Sequence, residues 1–377
     1  MKIAIVHDWL TVYAGAERCL EQMLECFPDA DLFALIDSVP EKDRAFLKGK
    51  TPKTSFLQKL PFAKTKYRAY LPLMPFAIEQ FDLSDYDVVL TSSHAVAKGV
   101  LTGPDQLHIS YTYSPIRYAW DLQFQYLTEA GLSRGLRSVL VRWLLHRIRI
   151  WDARTSAGVD HFVAISHFIG RRIRKVYRRD ADVIYPPVDL DHFDIGNVKS
   201  NFYVTAGRMV PYKKVPLIIE AFATMPDKEL IVIGTGPEWE KCRAAAGSNV
   251  TLLGWQSSES LRDHLQRAKA FVFAAEEDFG IAPLEAQACG TPVIAFNKGG
   301  ATETLRGLDA TQPTATFFDA QTPAAICSAV EQFEANAGRM TAQFCRENAM
   351  RFSVERFRNE LVAFVQTRWA AYNDGAR

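Results

Sequence analysis

The sequence predicts an α/β protein built from two doubly wound, Rossmann-like domains of parallel β-sheet covered by helices. Short β-branched runs alternate with helical segments in both halves of the chain, which is the pattern of parallel sheets with helical crossovers. The length of 377 residues is two to three times that of a usual domain. A content of 48% hydrophobic and 23% charged residues is ordinary for globular proteins and excludes intrinsic disorder.

The predicted strands form two groups separated by a linker that contains Pro186 and Pro187. Because these prolines stiffen the chain and cannot continue a helix, we predict a first domain of residues 1–194 and a second of residues 195–356. The carboxyl edges of the two sheets are expected to face a shared cleft. The strands are predicted at residues 2–6, 88–91, 108–111 and 161–165, then at residues 202–206, 229–233, 250–253, 270–275 and 292–296.

The last segment, residues 354–372, carries apolar residues at helical spacing and predicts one more helix. Such a helix must bury its apolar stripe against a neighbour. From these residues alone it could close the second domain or reach back to the first. The stripe consists of Val354, Phe357, Leu361, Phe364, Val365 and Trp369.

Net charge and cysteine usage narrow the class of protein. Lys and Arg total 44 against 43 Asp and Glu, so the formal charge of +1 does not indicate a nucleic-acid binder. The first apolar run is too short for a signal peptide, and no stretch approaches the roughly 20 apolar residues of a transmembrane helix. The six cysteines are scattered without a Cys-x-x-Cys pair. We therefore expect a cytoplasmic protein with reduced thiols and no metal site.

Basic residues are nevertheless concentrated in three clusters of the first half. The first spans residues 44–68 with eight cations, the second spans residues 134–149 with five arginines, and the third has six cations in residues 171–179. Clustered cations beside aromatic and apolar residues are typical of proteins that bind an anionic membrane surface, at roughly 1 kcal/mol per basic residue. Solvated helix faces around a core stripe would give the same pattern, so both interpretations stay open here.

Two loops of the second half carry residues suited to an anion. Gly207 follows a predicted strand and leads to Arg208 and Lys213, which could clamp a diphosphate at the carboxyl edge of a parallel sheet. Gly234-Thr-Gly236-Pro follows the next strand, where absent side chains let backbone amides approach an anion. A solvated loop and a packing turn are the alternatives for these segments.

The most specific segment runs from Glu276 to Ala286. Pro283 is placed to begin a helix and Gly290 to end it, so the free amides near Gly280 would favour an anion. Glu277 and Glu285 are eight residues apart, roughly 12 Å along a helix. This exceeds the about 5 to 9.5 Å between the two carboxyls of a glycosidase. It suits two contacts at opposite ends of a nucleotide sugar.

These motifs together resemble the retaining glycosyltransferases of family 4, which have the two-domain GT-B fold. The resemblance rests on Glu277 with seven residues before Glu285, Gly207-Arg-x-Val-Pro-x-Lys213, Gly234-x-Gly-Pro and Pro283-Leu-Glu-Ala. It implies that the final helix crosses back, so that residues 357–377 join an acceptor-binding domain of residues 1–194. Residues 195–356 would then bind the nucleotide-sugar donor.

The resemblance also implies roles for individual donor-site residues. Glu277 would hold hydroxyls of the donor sugar, Glu285 the ribose hydroxyls, and Arg208 with Lys213 the diphosphate. Backbone amides would meet the sugar and phosphates, and the segment from Gly254 to Ser258 would border the nucleobase. The remaining donor-binding candidates are Gly15, Gly234, Gly236, Gly254, Trp255, Ser258, Phe279, Gly280 and Ile281.

The first half resembles a subgroup that builds bacterial surface polysaccharides such as lipopolysaccharide, often from GDP-mannose. Residues 8–18, 93–98 and 114–121 carry this likeness. Where many relatives have a cleft histidine, this chain has Tyr113, whose usual pKa near 10 lets it donate a hydrogen bond but not take a proton at pH 7. His94 could lie nearby, although a lone histidine is more often structural. The acceptor-side candidates are Asp8, His94, Lys98, Tyr113 and Arg117.

The resemblance therefore predicts a retaining hexosyltransferase that moves mannose from GDP-mannose to a saccharide or lipid-linked acceptor at the inner face of the plasma membrane. No metal or cofactor is expected, because Arg208, Lys213 and helix-end amides can neutralise the departing diphosphate. Glu277 would be a nucleophile only if it reaches the anomeric carbon. The alternatives are a nucleotide-sugar epimerase and a non-catalytic sugar- or lipid-binding subunit. A dehydrogenase is disfavoured because the glycine-rich fingerprint is incomplete.

Overall fold

The computed structural model describes residues 1–196 and 198–375, which divide into two compact units. The first contains Met1–Pro187 and the chain from Phe357 onward, and the second contains Val188–Arg356. The division thus falls before Val188, earlier than the predicted residue 195. The cause is local bonding, because the Val188 N–H donates to the Phe352 carbonyl at 2.8 Å and Arg346 donates to the Leu190 carbonyl at 3.0 Å.

Among the described residues, seven parallel strands form the sheet of the first unit in the order β3-β2-β1-β4-β5-β6-β7. The strands are β1 (Ile3–His7), β2 (Asp31–Ala34), β3 (Lys53–Thr54), β4 (Val88–Ser93), β5 (Leu107–Thr112), β6 (His161–Ala164) and β7 (Ala181–Val183). The helices of this unit are α1 (Gly15–Cys26), α2 (Ala63–Lys66), α3 (Met74–Ile78), α4 (Gln123–Glu129), α5 (Leu136–Thr155) and α6 (His167–Tyr177).

The described part of the second unit has a six-stranded parallel sheet in the order β10-β9-β8-β11-β12-β13. Its strands are β8 (Phe202–Ala206), β9 (Glu229–Ile233), β10 (Val250–Gly254), β11 (Ala270–Phe273), β12 (Val293–Phe296) and β13 (Ala315–Phe318). The helices of this unit are α7 (Val215–Ala223), α8 (Trp239–Ala245), α9 (Ser258–Arg267), α10 (Ile281–Ala288), α11 (Ala301–Thr304), α12 (Pro323–Asn336) and α13 (Ala342–Met350). The last helix, α14 (Val354–Gly375), begins in this unit and belongs to the first unit from Phe357 onward.

Both sheets have the alternation of parallel strands and helices that the sequence predicts. Their central strands are buried along their whole length, as in β1, β4, β5 and β11, because helices cover both faces of a parallel sheet. In each sheet the strand order reverses once, between β1 and β4 in the first unit and between β8 and β11 in the second. Ligands of doubly wound folds bind beside the carboxyl ends of the strands at such a reversal.

Helix α14 settles the two alternatives for the C-terminal segment. Phe357, Leu361 and Val365 are completely buried, and the Phe357 ring centroid lies 5.7 Å from that of Tyr111 on β5. Arg358 Nε donates to Gln22 Oε1 on α1 at 2.8 Å. From Phe357 onward the helix therefore packs with the first unit, which confirms the predicted return of the chain.

Glu334 on α12 interacts with three hydrogen-bond donors in the second unit. Its carboxylate pairs with Lys228 Nζ at 2.8 Å and accepts hydrogen bonds from Lys269 Nζ at 2.6 Å and the Tyr203 hydroxyl at 2.8 Å. Burial by itself raises the pKa of Glu334, but these three donors outweigh burial and lower the pKa to about 2.

This cluster predicts a pH-dependent stability. A carboxyl whose pKa is lowered by folding stabilises the protein above its usual pKa, and that stabilisation is lost as the pH falls toward the folded value. We expect Glu334→Gln to lower the free energy of unfolding by about 2–3 kcal/mol at neutral pH, with the difference from wild type shrinking below about pH 4. Urea denaturation followed by circular dichroism tests this, with Glu331→Gln on the exposed side of α12 as the control. A difference that stays constant on acidification would contradict the assignment.

Candidate functional site

Four loops meet at the carboxyl edge of the second sheet, where the predicted donor-binding residues lie. They follow β8, β9, β10 and β11, the first of them carrying Arg208 and Lys213. Backbone hydrogen bonds join the first three loops: the Gly207 N–H donates to Ile233 O at 3.0 Å, and the Gly234 N–H to Gly254 O at 2.7 Å. These three loops are thus positioned by the sheet and by each other.

Gly234 and Gly236 make the close packing of these loops possible. A Cβ atom at Gly234 would lie 2.0 Å from the Gly207 carbonyl oxygen, and one at Gly236 would lie 2.4 Å from the Met209 carbonyl oxygen. Any larger residue at either position must therefore displace the loop after β8. The Gly234–Gly236 motif therefore acts as a packing turn, which was the alternative to anion binding. This packing places the Arg208 loop beside the end of β9.

Lys213 and Glu277 form an ion pair at the centre of this edge. Their side chains are mostly covered, with 20% and 16% of their surface exposed. Lys213 ends the short 3-10 turn Pro211–Lys213, and Glu277 follows β11. The pair brings a cation and a carboxylate together at the strand-order reversal, where one could bind phosphate and the other sugar hydroxyls.

The backbone of Glu277 is fixed by a turn that the sequence analysis did not single out. The Gly300 N–H donates to the Glu277 carbonyl at 2.7 Å. A Cβ atom at Gly299 would lie 2.3 Å from that same carbonyl oxygen. The Gly299-Gly300 pair after β12 was the available sequence signal, because two adjacent glycines permit this close approach of two backbones.

Helix α10 starts at Ile281, two residues before the predicted Pro283, and ends at Ala288 just before Gly290. Its first backbone N–H groups lack partners within the helix, as in any helix, and carry partial positive charge. Glu285 lies on this helix and is 7% exposed. The Phe279 ring packs against Phe352, with ring centroids 5.6 Å apart, so this side chain anchors the loop before α10.

Three further predicted residues of this edge differ in their environment. Arg208 is exposed, and the Trp255 side chain is 76% exposed after β10. The Ser258 hydroxyl, in contrast, bonds to His192 Nε2 at 2.7 Å. Ser257 caps α9 by accepting from the Ser260 N–H at 3.2 Å. Arg208 and Trp255 are therefore open to a ligand, while Ser258 is engaged within the protein.

In the first unit, Asp8 organises the loop after β4 instead of facing solvent. Its buried carboxylate accepts hydrogen bonds from four successive backbone N–H groups, those of His94, Ala95, Val96 and Ala97, at 2.6 to 3.0 Å. Asp8 Oδ2 also lies 3.0 Å from His94 Nδ1. Burial lowers the pKa of His94 despite this carboxylate. Of these two predicted acceptor residues, only His94 has an exposed part.

Tyr113 ends a chain of buried hydrogen bonds that the sequence analysis did not foresee. Its hydroxyl donates to the Ala16 carbonyl at 2.9 Å and lies 2.9 Å from Ser92 Oγ. The Tyr113 hydroxyl has one proton, which it gives to Ala16, so Ser92 Oγ must donate to Tyr113. Ser92 Oγ then has no second proton, and His7 Nδ1, 2.9 Å away, must donate to Ser92. Burial raises the pKa of Tyr113 well above its usual value, so this residue is not a base in this environment.

Lys98 requires a correction, because the structure places it in the core rather than on an acceptor surface. It is 2% exposed, and its Nζ lies 2.8 Å from Asp152 Oδ1. Asp152 also accepts from Trp120 Nε1 at 2.7 Å and from the Tyr177 hydroxyl at 3.0 Å. The other candidates of this unit lie at the same sheet edge: Gly15 begins α1, and half-buried Arg117 follows β5.

The described residues contain neither a cluster of metal ligands nor a helix suited to span a membrane. Within residues 1–196 and 198–375, no three His, Cys, Asp or Glu side chains are grouped so that they could hold a metal ion. In the same part of the chain, no helix is both long enough and apolar enough to span a bilayer.

Residues 189–352 match the family described as Glycosyl transferases group 1. The matched residues lie within the second unit, which is therefore similar to group 1 glycosyltransferase domains. Among curated proteins, D-inositol 3-phosphate glycosyltransferase of Mycobacterium leprae (strain Br4923) is 29% identical over 167 residues, which cover 37% of this chain and 39% of that protein. The enzyme of the same name from Mycobacterium marinum is 26% identical over 245 residues, covering 58% of this chain and 52% of that protein. This chain thus spans about half or less of these relatives.

Solved structures are similar in fold to the whole chain, beyond residues 189–352. Sucrose-phosphate synthase from Thermosynechococcus elongatus has a TM-score of 0.72 and 16% identity, covering 98% of this chain and 100% of that one. Anabaena HepE in complex with UDP and glucose has a TM-score of 0.67 and 16% identity, with 97% and 99% covered. These matches confirm the predicted GT-B fold of two Rossmann-like, parallel-sheet domains.

Proposed function

We propose that this protein is a retaining glycosyltransferase that moves mannose from GDP-mannose to a saccharide acceptor. The acceptor is proposed to be lipid-linked and to belong to the assembly of bacterial surface polysaccharides. The observation that carries the proposal is the Lys213–Glu277 pair at the strand-order reversal of a unit similar to group 1 glycosyltransferase domains. The names of the relatives support sugar transfer, and the UDP and glucose bound by HepE support a nucleotide-sugar donor. The choice of mannose and of GDP rests on the likeness of the first half to its subgroup.

In the proposed reaction the second unit holds the donor. Lys213 and exposed Arg208 bind the diphosphate together with amides at the start of α10, and Glu277 accepts hydrogen bonds from sugar hydroxyls. The bond between the anomeric carbon and the diphosphate oxygen breaks, and an acceptor hydroxyl forms the new bond on the same face. The leaving diphosphate takes the proton of that hydroxyl. Stabilising its developing charge is the main catalytic contribution of the cations, and no metal is required for it.

The Lys213 contact favours a binding role for Glu277 over a nucleophilic one. A carboxylate that is ion-paired must give up part of this interaction before it can attack carbon. The remaining donor contacts of the proposal are Glu285 to the ribose and Trp255 beside the base. For Ser258, the bond to His192 must break before its hydroxyl can reach a ligand.

A panel of nucleotide sugars tests the proposal. We expect GDP-mannose to give the largest thermal shift and the fastest donor hydrolysis, with UDP-glucose and nucleotides alone as comparisons. Formation of an epimer from donor alone would favour the epimerase alternative, and no binding of any nucleotide would favour the non-catalytic subunit. Activity that EDTA abolishes and Mg²⁺ or Mn²⁺ restores would contradict metal independence.

Arg208 provides a prediction of moderate size. Arg208→Ala removes one charged hydrogen-bond donor to the diphosphate, which contributes about 1.5–3 kcal/mol. We therefore expect kcat/KM for donor hydrolysis to fall by about tenfold to 150-fold. The matched control is Arg243→Ala, since Arg243 is an exposed arginine of the same unit that pairs with Glu240 on α8. A kcat/KM near that of wild type would remove Arg208 from the mechanism.

A further inference from the structure

The three basic clusters of the first unit differ in how their charges are used. Much of the first cluster is neutralised within the fold: Arg44 pairs with Asp37 at 2.8 Å, Lys48 with Glu25 at 2.8 Å, and Lys53 with Asp31 at 3.2 Å. In the third cluster Arg172 pairs with Asp121, Arg174 with Asp180, and Arg179 donates to the Ser156 and Asp160 carbonyls. These cations already have partners within the fold and are less available to another molecule.

The second cluster lies on α5, where large apolar side chains face outward. They recur at helical spacing along the helix, so they share one face. No acidic residue occurs between Glu129 and Asp152, and the side chains of Arg134, Arg137 and Arg147 are exposed. The exposed apolar residues are Leu136 at 90%, Val139 at 65%, Leu140 at 58%, Trp143 at 56% and Ile150 at 52%.

Residues 56–76, which overlap the end of the first cluster, also carry exposed apolar and basic side chains and lie beside α5. Phe62 is 70% exposed and Phe76 is 58% exposed, and the sequence from 44 to 78 contains no acidic residue. Leu71 packs into one small core cluster with Leu145 and Ile148 of α5. The exposed cations of residues 56–76 are Lys59, Lys64, Lys66 and Arg68.

We propose that α5 and residues 56–76 form one docking surface that binds an anionic phospholipid bilayer. The apolar side chains would enter the boundary between headgroups and acyl chains, while the cations meet anionic headgroups at roughly 1 kcal/mol each. Trp143 suits this depth, because indole rings favour membrane interfaces. Only the use of this membrane binding rests on the proposed function: it would bring the enzyme to a lipid-linked acceptor.

Charge favours a bilayer over a second copy of this chain. In a two-fold dimer a surface meets itself, so the arginines and lysines of the docking surface would face the same cations of the partner. The surface offers no exposed acidic residue to relieve that repulsion, because Asp152 of α5 is completely buried. Like charges across an interface are costly. An anionic bilayer satisfies both the charge and the apolar side chains.

Vesicle flotation tests the docking surface. We expect the full-length protein to float with phosphatidylcholine vesicles that contain one quarter phosphatidylglycerol, and to float far less with phosphatidylcholine alone or at high salt. The double variant Leu140→Ser/Trp143→Ser should bind at least about tenfold more weakly. Arg137→Glu/Arg147→Glu should show a similar loss on anionic vesicles only. The matched control is Arg171→Glu/Lys175→Glu on α6, which makes the same charge change outside the surface and should float like wild type.

The outcomes separate this proposal from the proposed function. Absence of flotation at low salt, or equal losses in the control, would overturn the docking surface. So would a dimer of the wild type that Leu140→Ser/Trp143→Ser dissociates, because a second copy would then be the occupant. Circular dichroism and hydrolysis of GDP-mannose in solution should be unchanged in all three variants. If flotation follows expectation while no donor is hydrolysed, the proposed function fails and the docking surface stands.

Discussion

Replacement of Asp152 by alanine is expected to lower the free energy of unfolding of the first unit by about 3–5 kcal/mol. The Asp152 carboxylate is completely buried and lies 2.8 Å from Lys98 Nζ, 2.7 Å from Trp120 Nε1 and 3.0 Å from the Tyr177 hydroxyl. Its removal leaves a buried ammonium without an anion and deprives the Trp120 and Tyr177 donors of this acceptor. Because this pair joins α5 to the loop after β4, the loss destabilises the core beneath the docking surface.

Urea denaturation with hydrogen exchange of first-unit peptides measures this effect. The control is Asp121→Ala, which removes a half-exposed carboxylate paired with Arg172 and should cost at most about 1 kcal/mol. The double variant Lys98→Met/Asp152→Ala should recover part of the loss, since it also removes the unpaired charge. If Asp152→Ala were no more harmful than Asp121→Ala, the pair would not be a structural centre.

The strands that sequence predicts best are those whose physical cause is local. Strands β8 and β9 lie at the predicted residues because each is an apolar, β-branched run that ends at a glycine. Strand β3 has two residues and β7 has three, so neither is long enough to show an apolar run. Strand β2 begins with Asp31 and was likewise not predicted. These short strands are stabilised by pairing with neighbours, which a local pattern does not contain.

Contacts between distant segments, which a local sequence pattern does not contain, also explain the successes and errors among the candidate residues. Lys213 and Glu277 were each singled out, but their pairing depends on the adjacency of β8 and β11, which are far apart in sequence. Asp8 and Lys98 were candidates because they lie in segments of the first half that resemble the family. Asp8 instead binds four amides of its own chain, and Lys98 binds Asp152 on α5. Identity and position in the chain do not reveal whether a charge already has an internal partner.

The Lys213–Glu277 pair carries the largest expected effect on activity. In the proposed reaction Lys213 stabilises charge that develops on the leaving diphosphate, and loss of one such preorganised donor typically lowers kcat by about 10² to 10³-fold. We expect Lys213→Met to show a fall of this size in kcat, with a smaller change in KM for GDP-mannose. Single-turnover kinetics with donor and acceptor sugars measures the chemical step directly.

A loss of activity could also arise because Glu277 is left without its partner, and a second pair of variants separates the two causes. Lys269→Met removes a lysine of similar exposure that pairs with Glu334 elsewhere in the unit, and kcat should be retained. Glu277→Gln keeps a hydrogen-bonding side chain beside Lys213 and removes the carboxylate charge. If Glu277 binds sugar hydroxyls, this variant should retain measurable turnover with an increased KM. If it were the nucleophile, turnover should vanish while donor binding persists, because an amide cannot form the glycosyl intermediate.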